Sequence, residues 1–312
     1  MNCQKQGTSI EGMLRAGLEG LNVLSVDVED YFHVEAFADR ITPEMWPNFS
    51  RRVADNTRHL LDLFARNDAI ATFFILGWVA ECEPQIVRDI LSAGHEIACH
   101  SYLHRCVWRM TPKEFRTDTR RALAAIQDAG GKSVLGYRAP TFSILRKSFW
   151  ALEILAEEGF RYDSSVFPIR HDHYGVPNAP RFAYRWSLKN GQSLLEIPPS
   201  TIRFARQNLP AGGGGYLRML PMWYTRWALR RIQNRDGEPA VVYLHPWEVD
   251  PHQPRMQGRW KSKLRHYYNL TKMDARLSQL LSSRRWVSFA EYLRNVADRD
   301  LPAYSTEELF LR

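Results

Sequence analysis

Cysteine is scarce: there are four in 312 residues (Cys3, Cys82, Cys99 and Cys106), too few to staple a chain of this length. No Cys-x-x-Cys pair occurs, which argues against a structural zinc knot. Long apolar runs are missing as well. The longest, such as Ala69 to Ala80, fall short of the ~20 residues that cross a bilayer as a helix. The first twenty residues carry Lys5, Glu11, Arg15 and Glu19 and no continuous apolar stretch, so no export signal is read there. The expectation is a cytoplasmic protein with reduced thiols. Repeats, low-complexity tracts and an obvious linker are also lacking. With 45% hydrophobic and 24% charged residues, the composition is that of a folded chain, which sets aside disorder and fibrous repeats.

What is present begins with charge. Against 34 Asp+Glu stand 42 Lys+Arg, a formal net charge of +8 and a pI near 9.4. Such a balance suits nucleic acid, a membrane surface or an acidic polymer. The acids are spread among the bases, however, and no dense basic block stands out, so nucleic acid is not the expected partner. Nothing in the pattern sets an oligomeric state.

Along the chain, strands and helices alternate. Leu21 to Val28 reads as a buried strand and Val53 to Asn67 as a helix. A second buried strand covers Ala71 to Gly77, and Pro84 opens a helix that Gly94 stops. Glu96 to His100 is a short strand, and Thr111 caps a helix that runs to Ala129. Gly136-Tyr137-Arg138 ends a strand, and Lys147 to Glu158 is a helix. Leu195 to Ile197 and Ala240 to Leu244 are strands, and Lys272 to Ser282 is the last helix. This alternation predicts an α/β fold with a parallel sheet, doubly wound or a (β/α) barrel. Residues 1–20 read as a poorly structured lead-in, 21–295 as a single domain with a C-terminal elaboration, and 296–312 as a C-terminal tail.

In such folds chemistry gathers where strands end. Read in order, those ends carry Asp27, Glu29 and Asp30, then His100 and His104, then Arg138, Asp163 and His245. Two histidines four apart share one face of a helical turn, and neutral imidazole is the commonest protein metal ligand. Two histidines plus a carboxylate leave positions open for water and substrate. Asp27 and Glu29 lie on one face of an extended strand, so one can bind a metal while the other takes a proton. Arg138 at a sheet end calls for a carboxylate partner. Cys99 and Cys106 read as free buried thiols.

This set resembles the polysaccharide deacetylases of carbohydrate esterase family four, over about Leu21 to Leu293. Asp27-Val28-Glu29-Asp30, His100-Ser101-x-x-His104, Arg138-Ala139-Pro140-Thr141, Asp163-Ser164-Ser165 and Leu244-His245 follow that family's five motifs in order. The wording Val-Asp-Val-Glu-Asp-Tyr-Phe and Leu-His-Pro-Trp-Glu is similar to the branch found with bacterial exopolysaccharide synthesis clusters. The resemblance implies a distorted (β/α) barrel and removal of N-acetyl groups from amino sugars of a polysaccharide or its lipid-linked precursor. It further implies that Glu29 or Asp30, with His100 and His104, holds a divalent ion, zinc first. Asp27 is then the base, oriented by Arg138, and His245 the acid, oriented by Asp163. The backbone N–H of Thr141 meets the oxyanion. Two departures stand out: the acids are spaced out, and the aromatic after Pro140 is displaced to Phe142. The competing readings are a hydrolase of a small non-sugar amide and an inactive carbohydrate-binding relative.

Two further stretches draw notice. Ala211 to Tyr216 is glycine-rich but lacks the Gly-Lys-Ser/Thr ending of a phosphate loop, so it reads as a flexible loop near the substrate. Leu217 to Ile232 interleaves Arg218, Arg226, Arg230 and Arg231 with Trp223 and Trp227. This stripe suits the inner face of a membrane or sugar rings, and a helix packed on the barrel would share its pattern. His252 to Tyr268 is basic and aromatic too.

Overall fold

The computed structural model describes residues 20–296 and 299–311, so most of the expected lead-in lies outside the described residues. β1 (Leu21–Val28) is buried at all eight positions, which is why it reads as a nearly continuous apolar run rather than an alternation. There follow α1 (Val53–Ala65), β2 (Thr72–Ile75), α2 (Gly77–Cys82), α3 (Pro84–Ser92), β3 (Glu96–Cys99) and α4 (Pro112–Asp128). α4 opens on a capping box. Thr111 Oγ1 accepts the Glu114 N–H at 3.3 Å, and Glu114 Oε2 accepts the Thr111 N–H at 2.8 Å. β4 (Gly136–Tyr137), α5 (Trp150–Glu157) and β5 (Tyr162–Asp163) complete this part.

The second part contains the hairpin of β6 (Tyr184–Ser187) and β7 (Ser193–Glu196), then a separate hairpin of β8 (Thr201–Phe204) and β9 (Gln207–Pro210). α6 (Gly214–Met219), α7 (Met222–Arg231), β10 (Ala240–Leu244), α8 (Trp260–Tyr267), α9 (Met273–Leu281) and β11 (Arg285–Val287) follow. α10 (Phe289–Val296), β12 (Ala303–Ser305) and α11 (Thr306–Leu311) end the chain.

All strand pairs of the main sheet are parallel except β6 with β7. The path runs β10-β1-β2-β3-β4-β5-β7-β6-β12, with β11 also on β1. β1 is the most shared strand: Asn22–Val26 pair with β10, Leu21–Val23 with β11, and Ser25–Val28 with β2. This is the α/β architecture that the alternation implies. Its strand path stays open among the described residues, because the antiparallel hairpin ends the parallel run instead of returning it to β10.

Three expectations are corrected. Lys272–Ser282 does not hold the last helix, since α10 and α11 follow it. The segment beyond residue 295 is not merely a tail, because Ala303–Ser305 pair with Arg185–Ser187. Elements of three to eight residues show too few periods to be read from pattern. The glycine-rich stretch is not a loose loop either. Residues 211–214 are buried, Gly213 has φ +123, and a Cβ there would stand 2.3 Å from the Tyr243 ring. Glycine is needed for close approach as much as for conformation.

Gly213→Ala is therefore expected to cost about 2–4 kcal/mol of stability in chemical denaturation. A mobile loop would tolerate the change to within about 0.5 kcal/mol.

Candidate active site

β1 ends at Val28, and the Glu29 N–H folds back to the Asp27 carbonyl at 3.0 Å. Asp27 Oδ1 accepts from Arg138 Nη1 at 2.6 Å. That guanidinium is fully buried and fixed on every side. Nη1 also donates to Ser25 Oγ at 2.9 Å, Nη2 to Ser164 Oγ at 3.0 Å, and Nε to the Ser164 carbonyl at 3.2 Å. Its Cζ lies 4.1 Å over the Phe74 ring. A charge so enclosed is tolerable only because it is paired and fully hydrogen-bonded.

His100 follows β3 directly. Its ring donates from Nδ1 to the Arg138 carbonyl at 2.8 Å, which leaves the Nε2 lone pair free. Burial lowers its pKa to about 4, so the ring is neutral at ordinary pH. The histidine pair is not presented by a helical turn, as the spacing alone implies. Ser101 and His104 have φ of 64° and 51°, and Asp118 of α4 accepts the N–H groups of Tyr102 (2.8 Å) and Leu103 (3.2 Å). A bent loop braced from α4 therefore sets the ring centroids 5.4 Å apart.

Glu29 meets this pair. Its Oε2 lies 2.6 Å from His104 Nε2 yet has no hydrogen bond of acceptable geometry, although it is buried. Oε1 accepts the Trp247 indole N–H at 3.2 Å. Burial alone would raise the Glu29 pKa, but His104, His245 and His100 drive it well below the carboxylate range. Burial likewise opposes a charge on His104, and Glu29 overcomes it to raise that pKa. One ligand atom from each of Glu29, His100 and His104 falls within 4.8 Å of the others. An orphaned carboxylate oxygen facing two imidazoles fits a divalent cation.

Asp30, the alternative to Glu29, is turned elsewhere. Its Oδ2 accepts the N–H groups of Arg52 (2.7 Å) and Val53 (3.0 Å) at the start of α1, and Oδ1 accepts that of Tyr31 at 2.9 Å. Its place is that of a helix cap. Burial holds its pKa up at about 6 despite these donors.

His245 closes the ring of groups from the end of β10. Its Nε2 stands 3.5 Å from Glu29 Oε1 and 4.0 Å from Asp27 Oδ2. The expected partner, Asp163, does not reach it. Asp163 instead accepts from Ser165 Oγ at 2.5 Å, and Ser165 Oγ accepts the Ala139 N–H at 2.8 Å, so this carboxyl braces the turn after Arg138. Burial raises Asp163 to about 6, and burial beside Asp163 raises Glu196 as well.

The partner of His245 is Glu248, which the sequence reading missed. Glu248 Oε2 accepts from the ring at Nδ1 (3.1 Å) and from the His245 backbone N–H (2.9 Å), across the 3₁₀ turn Pro246–Val249. Glu248 is fully buried and clamped by Arg218 Nε at 2.6 Å. Arg218 also donates from Nη1 to the carbonyls of Arg265, His266 and Tyr268 at 3.0, 2.7 and 3.1 Å, so it does not belong to a surface stripe. Burial would raise the Glu248 carboxyl, yet Arg218 and His245 bring it down to about 2. Burial disfavours the charged His245 ring, but Glu248, Glu29 and Asp27 outweigh it and lift the pKa to about 9. The signal was present in His-Pro-Trp-Glu, an acid within one tight turn of the histidine.

Thr141 (φ 56°) and Phe142 (φ 50°) are both left-handed, and the Thr141 N–H has no acceptor among the described residues. Two consecutive non-glycine residues in that region are strained, a feature that gathers at functional sites. Beside His104 opens a cleft of about 220 Å³, lined in part by Phe32, His33, Trp46, Leu103 and Arg109. Cys99 and Cys106 are free and buried, and burial pushes both thiols up, Cys106 to about 12.

Against known proteins, residues 43–162 match the family model Polysaccharide deacetylase, and residues 164–294 match a Domain of unknown function (DUF3473). A Mycobacterium smegmatis protein assigned as a polysaccharide deacetylase superposes with a TM-score of 0.61, covering 92% of this chain and 93% of that one at 20% identity. The fold is that of the polysaccharide deacetylases. An allantoinase superposes almost equally, with a TM-score of 0.60 over 96% of this chain and 99% of that one at 14% identity. These likenesses concern the fold alone.

In sequence, the chain is 32% identical over 128 residues to a peptidoglycan deacetylase of Helicobacter pylori, covering 41% of each. It is 27% identical over 100 residues to a chitooligosaccharide deacetylase of a Bradyrhizobium strain, covering 32% of this chain and 43% of that one. The chain thus spans less than half the length of either relative. Family model and relatives together support the polysaccharide deacetylase family. His100, His104 and Arg138 fall inside the matched segment, whereas Asp27, Glu29 and His245 lie outside it.

Glu29→Ala is expected to lose a stoichiometric divalent ion, measured by elemental analysis after zinc loading. Asp30→Ala should keep the ion and instead lower stability by about 1–2 kcal/mol in denaturant titration.

Proposed function

We propose that this chain is a divalent-metal-dependent hydrolase that removes N-acetyl groups from amino sugars of a polysaccharide, an exopolysaccharide or its lipid-linked precursor. The observation that carries the reading is the convergence of one triad and two pairs at one sheet end: Glu29 with the two histidines, Asp27 with Arg138, and His245 with Glu248. The names of the peptidoglycan and chitooligosaccharide deacetylases it resembles support a sugar substrate.

Glu29, His100 and His104 would hold the ion, zinc by preference for two imidazoles and a carboxylate. When bound, it supplies Lewis-acid polarisation of the amide carbonyl and of water. Asp27 has one oxygen committed to Arg138 and takes the proton of the attacking water with the other. The water oxygen bonds to the acyl carbon, and the Thr141 N–H donates to the oxygen that becomes charged. His245, kept protonated by its three carboxylate neighbours, delivers its Nε2 proton to the sugar nitrogen as the C–N bond breaks. Acetate and a free amine are the products. Glu248 and Arg218 hold the ring in place, the part that the resemblance assigns to Asp163. A hydrolase of a small non-sugar amide would use the same residues, and the allantoinase likeness makes such an amide the comparison substrate.

Acetate release from N-acetylglucosamine oligomers, after loading with zinc, cobalt or manganese, tests the reading. Asp27→Asn is expected to cut the rate at least about a hundredfold with metal content unchanged. Glu248→Gln should lower kcat about 10–100-fold while KM stays near normal. Turnover of small amides alone, with none of the oligomers, would favour the second reading.

A further inference from the structure

α7 packs inward through Thr225, Ala228 and Leu229, as an amphipathic helix should. Its outer face is not simply polar. Trp223 is 65% and Trp227 42% exposed, and Met219, four residues earlier at the end of α6, is 44% exposed. Positions four apart on a helix are surface neighbours, so the two indoles stand side by side. Between and beyond them lie Arg226, Arg230 and Arg231, the last with its guanidinium 5.7 Å over the Trp227 ring. From Ile197 to Arg235 the chain carries seven arginines and no acid.

A cavity of about 510 Å³ adjoins this face, lined by Arg226, Arg230 and Arg284 together with Gln233, Ser282 and Ser283. Among the described residues, no carboxylate forms an ion pair with any of these three arginines. Arg284 is partly desolvated and feels Arg230 beside it, so its guanidinium lacks a compensating charge. The cavity is not part of the candidate active site. Gln233 donates to Asn22 Oδ1 at 3.0 Å and to the Leu21 carbonyl at 3.4 Å, at the start of β1. Asp27 lies at the other end of that strand, roughly 17–20 Å away at 3.3 Å per residue.

A second copy of this chain is a poor occupant, since a two-fold contact would set the same arginines against one another. Indoles at a surface, flanked by guanidinium groups without a carboxylate partner among the described residues (Arg284 donates to the neutral Gln233 side chain), match instead the layered chemistry of a bilayer: an apolar boundary beneath a sheet of phosphates. We propose that the outer face of α7, with Met219, Trp223 and Trp227 flanked by Arg226, Arg230 and Arg284, docks the chain on an anionic phospholipid surface, with lipid phosphate entering the arginine-lined cavity. This docking is independent of the chemistry at Glu29, His100 and His104.

The test is co-sedimentation of the full chain with vesicles of phosphatidylcholine alone or mixed with phosphatidylglycerol. Binding is expected to the mixed vesicles only, and to fall as salt rises. Trp223→Ala with Trp227→Ala should weaken it about tenfold or more. Arg226→Gln, Arg230→Gln and Arg284→Gln should each weaken it about fivefold at low salt. All five side chains are at least partly exposed, so thermal midpoints should hold and confirm that the variants fold. Failure of the wild type to bind mixed vesicles overturns the proposal, as does binding that both variant sets leave unchanged. A dimer that the tryptophan substitutions dissolve, without vesicle binding, overturns it in favour of a second copy. Binding only to a soluble anionic polysaccharide overturns it in favour of a polymer.

Discussion

The buried ion pair of Arg138 with Asp27 is the constraint on which the rest of the site depends. One guanidinium ties the end of β1 to the turns after β4 and β5 through Ser25, Asp27 and Ser164, with the Phe74 ring beneath it. Its own carbonyl fixes which nitrogen of His100 keeps a lone pair. Breaking such a pair by deleting one partner costs about 3–5 kcal/mol, because the other charge stays buried. Stability and chemistry therefore draw on the same contacts. Deleting a member of this group outright costs stability as well as chemistry, and only a near-isosteric change such as Asp27→Asn probes the chemical role.

A second arginine–carboxylate clamp stands opposite. Arg218 grips Glu248, and Glu248 grips His245, with α6, the C-terminal end of α8 and the turn after β10 each contributing. Arg138 and the Arg218–Glu248–His245 group belong to the two stretches of chain that match separate family models, and β1, which lies in neither, pairs with β10 and brings them to one sheet end. β1 carries Asp27, and Glu29 follows just past its end, so neither stretch holds the whole constellation. Asp163, one residue before the second match begins, braces the turn that presents Thr141.

How much of this is legible in the sequence depends on the range of the interaction. β1, α4 and β10 are plain from residue type, because continuous burial and a capping box leave local marks. Asp27, His100, Arg138 and His245 are found by reading strand ends, since a parallel sheet places its functional groups there. The choice between Glu29 and Asp30 is not local. It turns on the fold-back after Asp27 and on the N–H groups of Arg52 and Val53, about twenty residues on. Arg218 is harder still, for in sequence it sits amid arginines and tryptophans on an apparent surface stripe. Only folding shows it buried against Glu248, thirty residues later. The strands and helices after α9 are too short to carry a period.

X-ray absorption spectroscopy of the zinc-loaded protein tests the central claim most directly, because it reads the atoms around the metal. The account predicts two imidazole nitrogens at about 2.0–2.1 Å and carboxylate or water oxygen at about 2.0–2.2 Å. A sulfur shell at about 2.3 Å would place the ion on Cys99 or Cys106 and contradict it.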